Sequence, residues 1–490
     1  MKVSEAIALT NRIYVRLNAR RAEGDKLERY YGGDQPLTFA TKEWKDANAS
    51  RYSGFSDNWC GTVVNAEAER LSPIGITGLS DLGQKLIWNQ LQRNEFDAQF
   101  SQGVITALTT GRTFVIVWPD DDDALVTFEH PSQVEVEYDW ENPRVRRAAL
   151  KTWVDDSTEY ANLYTPETVF KFKRQRMSAA NERDSQAKQS RTGAATDGGW
   201  SPRFEDDSEW IIPNPMGVVP VVEIANRPRL KGDPVSEISG VVAMQDAINL
   251  LWAYLFLAAD YASMDARVML GTNPPKIPIL NDKGEIIGER PVEMKDLREK
   301  RLLTLTGDNA KIDSWKAASL NIFTDTIEIA VGHIAAQTRT PPHYLVSNKG
   351  LSNLSGDALV AAEIGLVQKS NEFITFTDPP LREIARLIAL AMGMGGMADE
   401  ARSASFSWKD REKRSEAQLA DALLKKSQMG YPFEYLLEEA GKSPDEIKRI
   451  MGLRQKEMDA AFGATVQVAV QEAMTDAEGA VVGAGASAEA

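Results

Sequence analysis

Residues 236–270 read SEISGVVAMQDAINLLWAYLFLAADYASMDARVML, and the fold turns on them. The stretch holds no proline and one early glycine, Gly240, and it carries apolar side chains on nearly every helical face. That pattern predicts one long buried helix, stopped by Gly271 and Pro274-Pro275. Its most lipid-like part, LLWAYLFLAA at 250–259, lies between Asn249 and Asp260. Crossing a bilayer takes about 20 such residues, so a core or subunit-interface helix is expected and a membrane span is not. A helix this apolar needs cover on more sides than a two-helix hairpin supplies, and further copies of the chain are the natural source.

Downstream, residues 276–315 hold short apolar runs and the turn Asn281-Asp282-Lys283-Gly284, which predict a compact β-rich insertion. A second helix is expected over 317–339, with Leu320, Phe323, Ile327, Val331 and Ile334 on one face. It reads as the return stroke of the first. Thr340-Pro341-Pro342 breaks it, and 350–356 (GLSNLSG) is a small-residue loop. Ser355 is the expected N-cap of the next helix, with Asp357 in its first turn. That helix should run to about Thr377, stop at Pro379-Pro380 and resume over 381–392. The remainder reads as helical, with Ser443-Pro444-Asp445-Glu446 combining an N-cap, a proline at the first helical position and a capping-box glutamate. From Ala477 the Ala, Gly, Ser and Val composition suggests a frayed tail.

Upstream, the first 30 residues read as a helix closed at Tyr30-Tyr31-Gly32-Gly33, and helical spacing recurs over 63–71 and 82–108. The period then shortens to that of strands, at 113–118, 125–129, 134–138, 148–154, 159–164 and 168–173. No helix-length segments separate these strands, so an antiparallel meander is expected. Residues 174–209 turn to Gln, Ser, Asn, Arg, Asp and Gly and predict a mobile loop, after which 210–224 (WIIPNPMGVVPVVEI) returns to strand.

The 490 residues would suit about three domains. With 43% apolar and 26% charged residues, the chain can bury substantial cores. Its net charge of −15 argues against a protein that grips nucleic acid with Lys and Arg. The single cysteine, Cys60, cannot form an intrachain disulfide and fits a reducing compartment. Arg12, Arg16, Arg20 and Arg21 occupy the N-terminal stretch without a signal-type apolar region, so secretion by that route is not expected.

Chemistry is sparse. The histidines His130, His333 and His343 lack the spacing of zinc ligands. Asp120 to Asp123 could attract a divalent cation, but without an ordered-loop spacing they read as a solvated hairpin tip. Gly441-Lys442-Ser443 imitates the end of a phosphate-binding loop, yet Leu436 stands where its first glycine belongs. Gly350 to Leu354 begins like a nucleophile elbow and lacks the closing glycine. Neither an enzymatic activity nor a cofactor is expected.

An ordered set of motifs carries a resemblance. Tyr30-Tyr31-Gly32-Gly33, 59–71 (WCGTVVNAEAERL), 214–220 (NPMGVVP), 247–251 (AINLL), 338–345 (TRTPPHYL) and 354–359 (LSGDAL) resemble, in this order and over about residues 20–455, the portal proteins of tailed bacteriophages, the head-to-tail connectors of the large siphophage portal family. The resemblance implies an α+β, mainly α fold assembled as a ring, usually a homododecamer. By analogy, residues 1–230 form the wing, 231–271 the first stem helix and 272–316 the clip. Residues 317–340 form the second stem helix, 341–356 the tunnel loop and 357–408 the long wing helix and its return. A helical crown at 409–475 and a disordered tail at 476–490 complete the map.

The resemblance further implies a virion protein at the portal vertex, present in the host cytoplasm during assembly. Its implied partners are other copies of itself, the terminase large subunit, head-tail adaptor or connector proteins, and the major capsid and scaffolding proteins. Double-stranded DNA would pass through its channel without sequence recognition. In the tunnel loop His343, Asn348, Lys349, Ser352, Asn353 and Ser355 are the candidate DNA-facing residues. They offer small polar contacts and one lysine, enough to touch phosphates without holding them; an exposed turn whose glycines merely allow a reversal is the alternative. In a ring of about twelve copies the charge sums to roughly −180, which suits a conduit rather than a clamp. Two other readings remain open, a monomeric scaffold or adaptor of the virion head and a carboxylate-metal hydrolase.

Overall fold

The computed structural model describes residues 1–37, 42, 46, 55–175, 199–204, 209–263, 267–270, 276–281, 283–291, 311–314, 319–345, 356–411 and 416–485. The chain divides into two units: Met1–Gln35, Asn58–Gln245 and Gly332–Ala490 make the first, Pro36–Asp57 and Asp246–Val331 the second.

The first unit opens with α1 (Val3–Gly32), closed by Gly33 at φ +83°, a left-handed value that suits glycine. Then come α2 (Trp59–Ala68), β1 (Pro73–Thr77), α3 (Asp81–Arg93) and α4 (Phe96–Thr110). The strands follow as β2 (Arg112–Asp120), β3 (Asp123–Glu129), β4 (Val134–Tyr138), β5 (Arg146–Asp155), β6 (Thr158–Tyr164), β7 (Thr168–Gln175), β8 (Ser201–Pro202), β9 (Ile211–Pro213) and β10 (Val221–Ala225). All their pairings are antiparallel, as expected, but they form two sheets rather than one. Among the described residues one sheet runs β10-β2-β3 and the other β4-β5-β6-β7-β8, with β9 also on β7.

Strand periodicity explains how both faces of the larger sheet are covered. Ala148 and Leu150 of β5 turn toward Ile13 and Tyr14 of α1, whereas Ala149 between them joins Phe114, Val136 and Val221 on the other side. On β4, Glu135 and Glu137 alternate with Val134 and Val136 and meet the arginines of α1. Arg12 pairs with Glu137 at 2.5 Å, Arg16 with Glu137 at 3.2 Å, and Arg20 with Glu135. The N-terminal arginines thus bind this sheet.

Part of the loop expected at 174–209 is ordered. Trp200 is buried, and the Arg174 guanidinium lies 4.3 Å from its ring and 4.1 Å from that of Tyr14 while bonding Glu159 at 2.6 Å. One cation over two rings outweighs the polar composition around it. Residues 176–198 and 205–208 lie outside the described residues.

The long helix expected over 236–270 is shorter. α5 spans Val242–Ser263, preceded by a turn in which Ser236 Oγ accepts from the Ile238 and Ser239 amides at 3.2 Å. That hydroxyl competes with helical bonding. Arg267–Leu270 is instead β11, followed by the hairpin of β12 (Lys276–Leu280) and β13 (Ile286–Pro291) and by β14 (Lys311–Ser314), the partner of β11. A window of α5, Val242–Asp260, meets the length and apolar composition of a membrane-crossing helix by those criteria alone. In the second unit Phe55 packs edge-on against Phe256 with centroids 5.1 Å apart, and Trp252 Nε1 donates to Asp57 at 2.7 Å.

Next come α6 (Asn321–Thr338), the single turn α7 (Pro342–Leu345) and α8 (Gly356–Ala391). The break expected at Pro379-Pro380 is absent, and α8 runs through both prolines. Thr375 and Phe376, whose carbonyls lose their donors, are exposed, and fully buried Leu381, Ile384, Leu387 and Ile388 hold the second half in line.

The chain continues with α9 (Gly395–Glu400), β15 (Ser405–Trp408), α10 (Glu416–Gln428), α11 (Phe433–Glu439) and α12 (Pro444–Gly485). β15 pairs with β1. The capping box forms as predicted, with the Glu446 amide donating to Ser443 Oγ at 3.3 Å and the Ser443 amide to Glu446 Oε2 at 3.1 Å. α12 reaches Gly485, well into the tail expected at 476–490. Asp123, in the acidic tip, is held by Arg93 at 2.8 Å.

Candidate functional site

Five of the six candidate residues, Asn348, Lys349, Ser352, Asn353 and Ser355, lie outside the described residues. His343 and the flanking helices are described, and they show what holds the chain on either side of residues 346–355. After α6, Arg339 takes φ +53° and the Thr340 amide returns to the Ala335 carbonyl at 3.0 Å, closing the helix. Pro341-Pro342 then starts α7, which carries His343 and Tyr344.

Both side chains are tied inward. His343 Nε2 lies 3.4 Å from Glu363 Oε1 on α8, and its side chain is 17% exposed. Arg70, just beyond α2, donates through Nη2 to the Tyr344 hydroxyl at 3.0 Å and pairs with Glu363 at 3.1 Å. Its Nη1 donates to the Arg411 carbonyl at 2.6 Å. One buried guanidinium therefore joins α7 to α8.

About 1.7 helical turns beyond Glu363 on α8, Lys369 forms a second junction. Its ammonium, 1% exposed, lies 2.9 Å from both Glu67 of α2 and Glu237, and donates to the Thr338 carbonyl at 3.1 Å. Glu237 precedes α5 and Thr338 ends α6. The chain five residues before α5 and the last residue of α6 thus meet the same ammonium.

The two carboxylates are not equivalent. Burial pushes the Glu67 carboxyl up to about 7, against the opposing pull of Lys369. Burial acts on Glu237 in the same direction, but Lys369, Arg227 at 2.6 Å and the Asn226 amide at 2.8 Å together hold it below its ordinary value. The difference lies in partners, since a carboxylate with two cations and an amide recovers more of its lost hydration than one sharing a single ammonium.

Sequence reading missed Glu67, Arg70, Glu237, Glu363 and Lys369. Lys369 had a signal, because it stands on the stripe Leu366, Ser370 and Phe373 at helical spacing, all buried. Among the described residues no group of three or more His, Cys, Asp or Glu is placed to hold a metal ion.

Residues 11–458 match the family described as phage portal protein, SPP1 Gp6-like. The chain belongs to this portal family. The resemblance drawn from the motifs leads to the same family. The portal protein of Mycobacterium phage L5 is 26% identical over 382 residues, covering 74% of this portal chain and 70% of its own length. That of Mycobacterium phage D29 is 26% identical over 384 residues with the same coverage. Among solved structures, a chain from the neck of an empty gene transfer agent particle is 10% identical at a TM-score of 0.42, covering 82% of this portal chain and 94% of that one. A chain from the virion of the native particle is 11% identical at 0.41, covering 79% and 87%.

Proposed function

We propose that identical copies of this portal chain close into a ring at one vertex of a phage capsid, through which double-stranded DNA is packaged and later ejected. The observation that carries the reading is the match of residues 11–458 to the portal family, and the Lys369 junction, where one ammonium holds Glu237 ahead of α5 and the residue ending α6, suits its stem. An outgoing and a returning helix anchored at one point, with β-hairpins between them in the chain, suit the two stem helices and clip, residues 231–271, 317–340 and 272–316. The Arg70 junction, which ties Tyr344 to Glu363, supports residues 341–356 as a tunnel loop. Asn348, Lys349, Ser352, Asn353 and Ser355 would face DNA, with His343 at the root.

In this reading residues 1–230 and 357–408 make the wing and 409–475 the crown. Terminase docks on the clip during packaging, and head-tail adaptors replace it afterwards. Capsid and scaffolding proteins surround the ring, which assembles in the host cytoplasm and ends in the virion. The chain supplies no catalysis, and the terminase motor drives translocation.

Imaging of the purified chain by negative stain, with its mass in solution, tests the proposal. Rings with a central hole are expected. A chain that stays single would overturn the reading in favour of a monomeric adaptor, and intrinsic ATP hydrolysis would overturn its non-enzymatic part.

A further inference from the structure

Helix α12 is anchored at its root. Pro444 packs against Gly75 of β1, Ile447 is buried, and Lys448 Nζ lies 3.0 Å from Asp81. From Gly452 to Phe462 every residue is exposed. Forty-two residues make a rod about 63 Å long, and its apolar side chains are not those of a solvated rod.

They form two faces. Met458, Phe462 and Val466 follow one another at steps of four and are 58%, 72% and 43% exposed. Leu453, Ala460 and Val468 lie about 180° around the helix, with Glu457 between them; Leu453 is 51% and Val468 58% exposed. One face is bulky and the other is smaller, so each complements the other better than itself. A two-fold dimer would need one face meeting its own copy. Two unlike faces on opposite sides need a neighbour on each side, which is the contact of a closed ring.

Rotation about a ring axis keeps each residue at the same height in every copy, and helices that run along the axis stay parallel. In that arrangement the charges at one edge match. Asp459 borders the Met458–Phe462–Val466 face and Lys456 borders the opposite one. When the bulky face of one copy meets the smaller face of the next, Asp459 and Lys456 fall on the same side of the contact, offset by about 4.5 Å along the axis. Within one chain Asp459 accepts from Gln455 Nε2 at 2.9 Å, which keeps its carboxylate at that edge.

We propose that α12 packs in parallel between the α12 helices of two further copies, its Met458, Phe462 and Val466 against Leu453, Ala460 and Val468 of the next. This rests on the ring reading and adds the faces, polarity and register of one contact.

Cysteine cross-linking tests it, since the sole native cysteine, Cys60, is buried. Under mild oxidation the double variant Ala460→Cys with Phe462→Cys should give a ladder of covalent oligomers up to the full ring, and each single variant should give none. A cross-linked dimer from Phe462→Cys alone would overturn the proposal, because it means like faces meet. Rings that form without any ladder in the double variant overturn it too, while leaving the ring itself intact; a wild-type chain that stays single removes both. Independently, Asp459→Lys should lower the ring fraction at low salt about fivefold, and adding Lys456→Asp should restore it. Failure of that rescue would count against the register.

Discussion

Lys369 Nζ donates to the Thr338 carbonyl at 3.1 Å and lies 2.9 Å from both Glu67 and Glu237, so one ammonium closes α6 onto α8 between two carboxylates. Replacing it by methionine keeps the volume and removes the charge. Glu67 and Glu237 would then share a buried site with Arg227 alone, and loss of one partner of a buried ion pair costs about 3–5 kcal/mol. Lys369→Met should lose about that much stability in urea denaturation. A loss below about 1 kcal/mol would mean that the junction is hydrated and does not brace the helix ends.

Glu67 makes stability depend on pH. Its folded carboxyl is raised to about 7 by burial, while an unfolded glutamate titrates near 4.3. A raised carboxyl favours the folded chain below the unfolded value, and that contribution is lost as pH rises through the folded value. This group should therefore weaken the fold as pH rises from the unfolded value through the folded one. Glu67→Gln should flatten that slope in melting temperature against pH. An unchanged slope would assign the dependence to other groups.

The order of elements was legible because it rests on local signals. Gly33 and Gly111 close their helices at positive φ, the Ser443–Glu446 box opens α12, and the strand runs show period two. What failed depends on partners distant in the chain. Trp200 is ordered by Arg174 and Tyr14, α8 passes two prolines because its second half is buried, and residues 267–270 pair with 311–314 instead of extending α5. The end of α6 was legible from Thr340-Pro341-Pro342. The tie from α7 to α8 was not, since Arg70 and Glu363 meet only in the folded chain, although Arg70 sits within the motif at 59–71 that carried the resemblance.

Gly75 fixes the root of α12. A Cβ built there would come within 2.4 Å of Pro444 Cδ, so Gly75→Ala must displace the proline or the strand. Overpacking of this kind costs about 1–3 kcal/mol. Protease cleavage between α11 and α12 should rise in the variant, while the core of the β4–β7 sheet stays protected in hydrogen exchange. Equal cleavage would show that the root yields without strain.

Lys349 is the one cation among the proposed DNA-facing residues, in a chain of net charge −15. Lys349→Glu changes the charge by two per copy, repeated around the ring, and adds repulsion where phosphate passes. Rings should assemble normally, while packaged DNA per particle and ejection rate should fall several-fold and respond to salt. Packaging and ejection at wild-type levels would remove Lys349 from the mechanism.

Arg70 tests whether the loop's roots matter apart from its tip. The guanidinium reaches the Tyr344 hydroxyl, Glu363 and the Arg411 carbonyl at once. A lysine keeps the charge but lacks the planar fork, so Arg70→Lys must abandon part of this set. One or two lost bonds, one of them to a charge, amount to about 1–3 kcal/mol. Trypsin cleavage after Lys349 should accelerate relative to cleavage after Lys283 in the β12–β13 turn, which serves as an internal control. A general loosening would raise both sites together, and only a selective rise at Lys349 ties Arg70 to the loop.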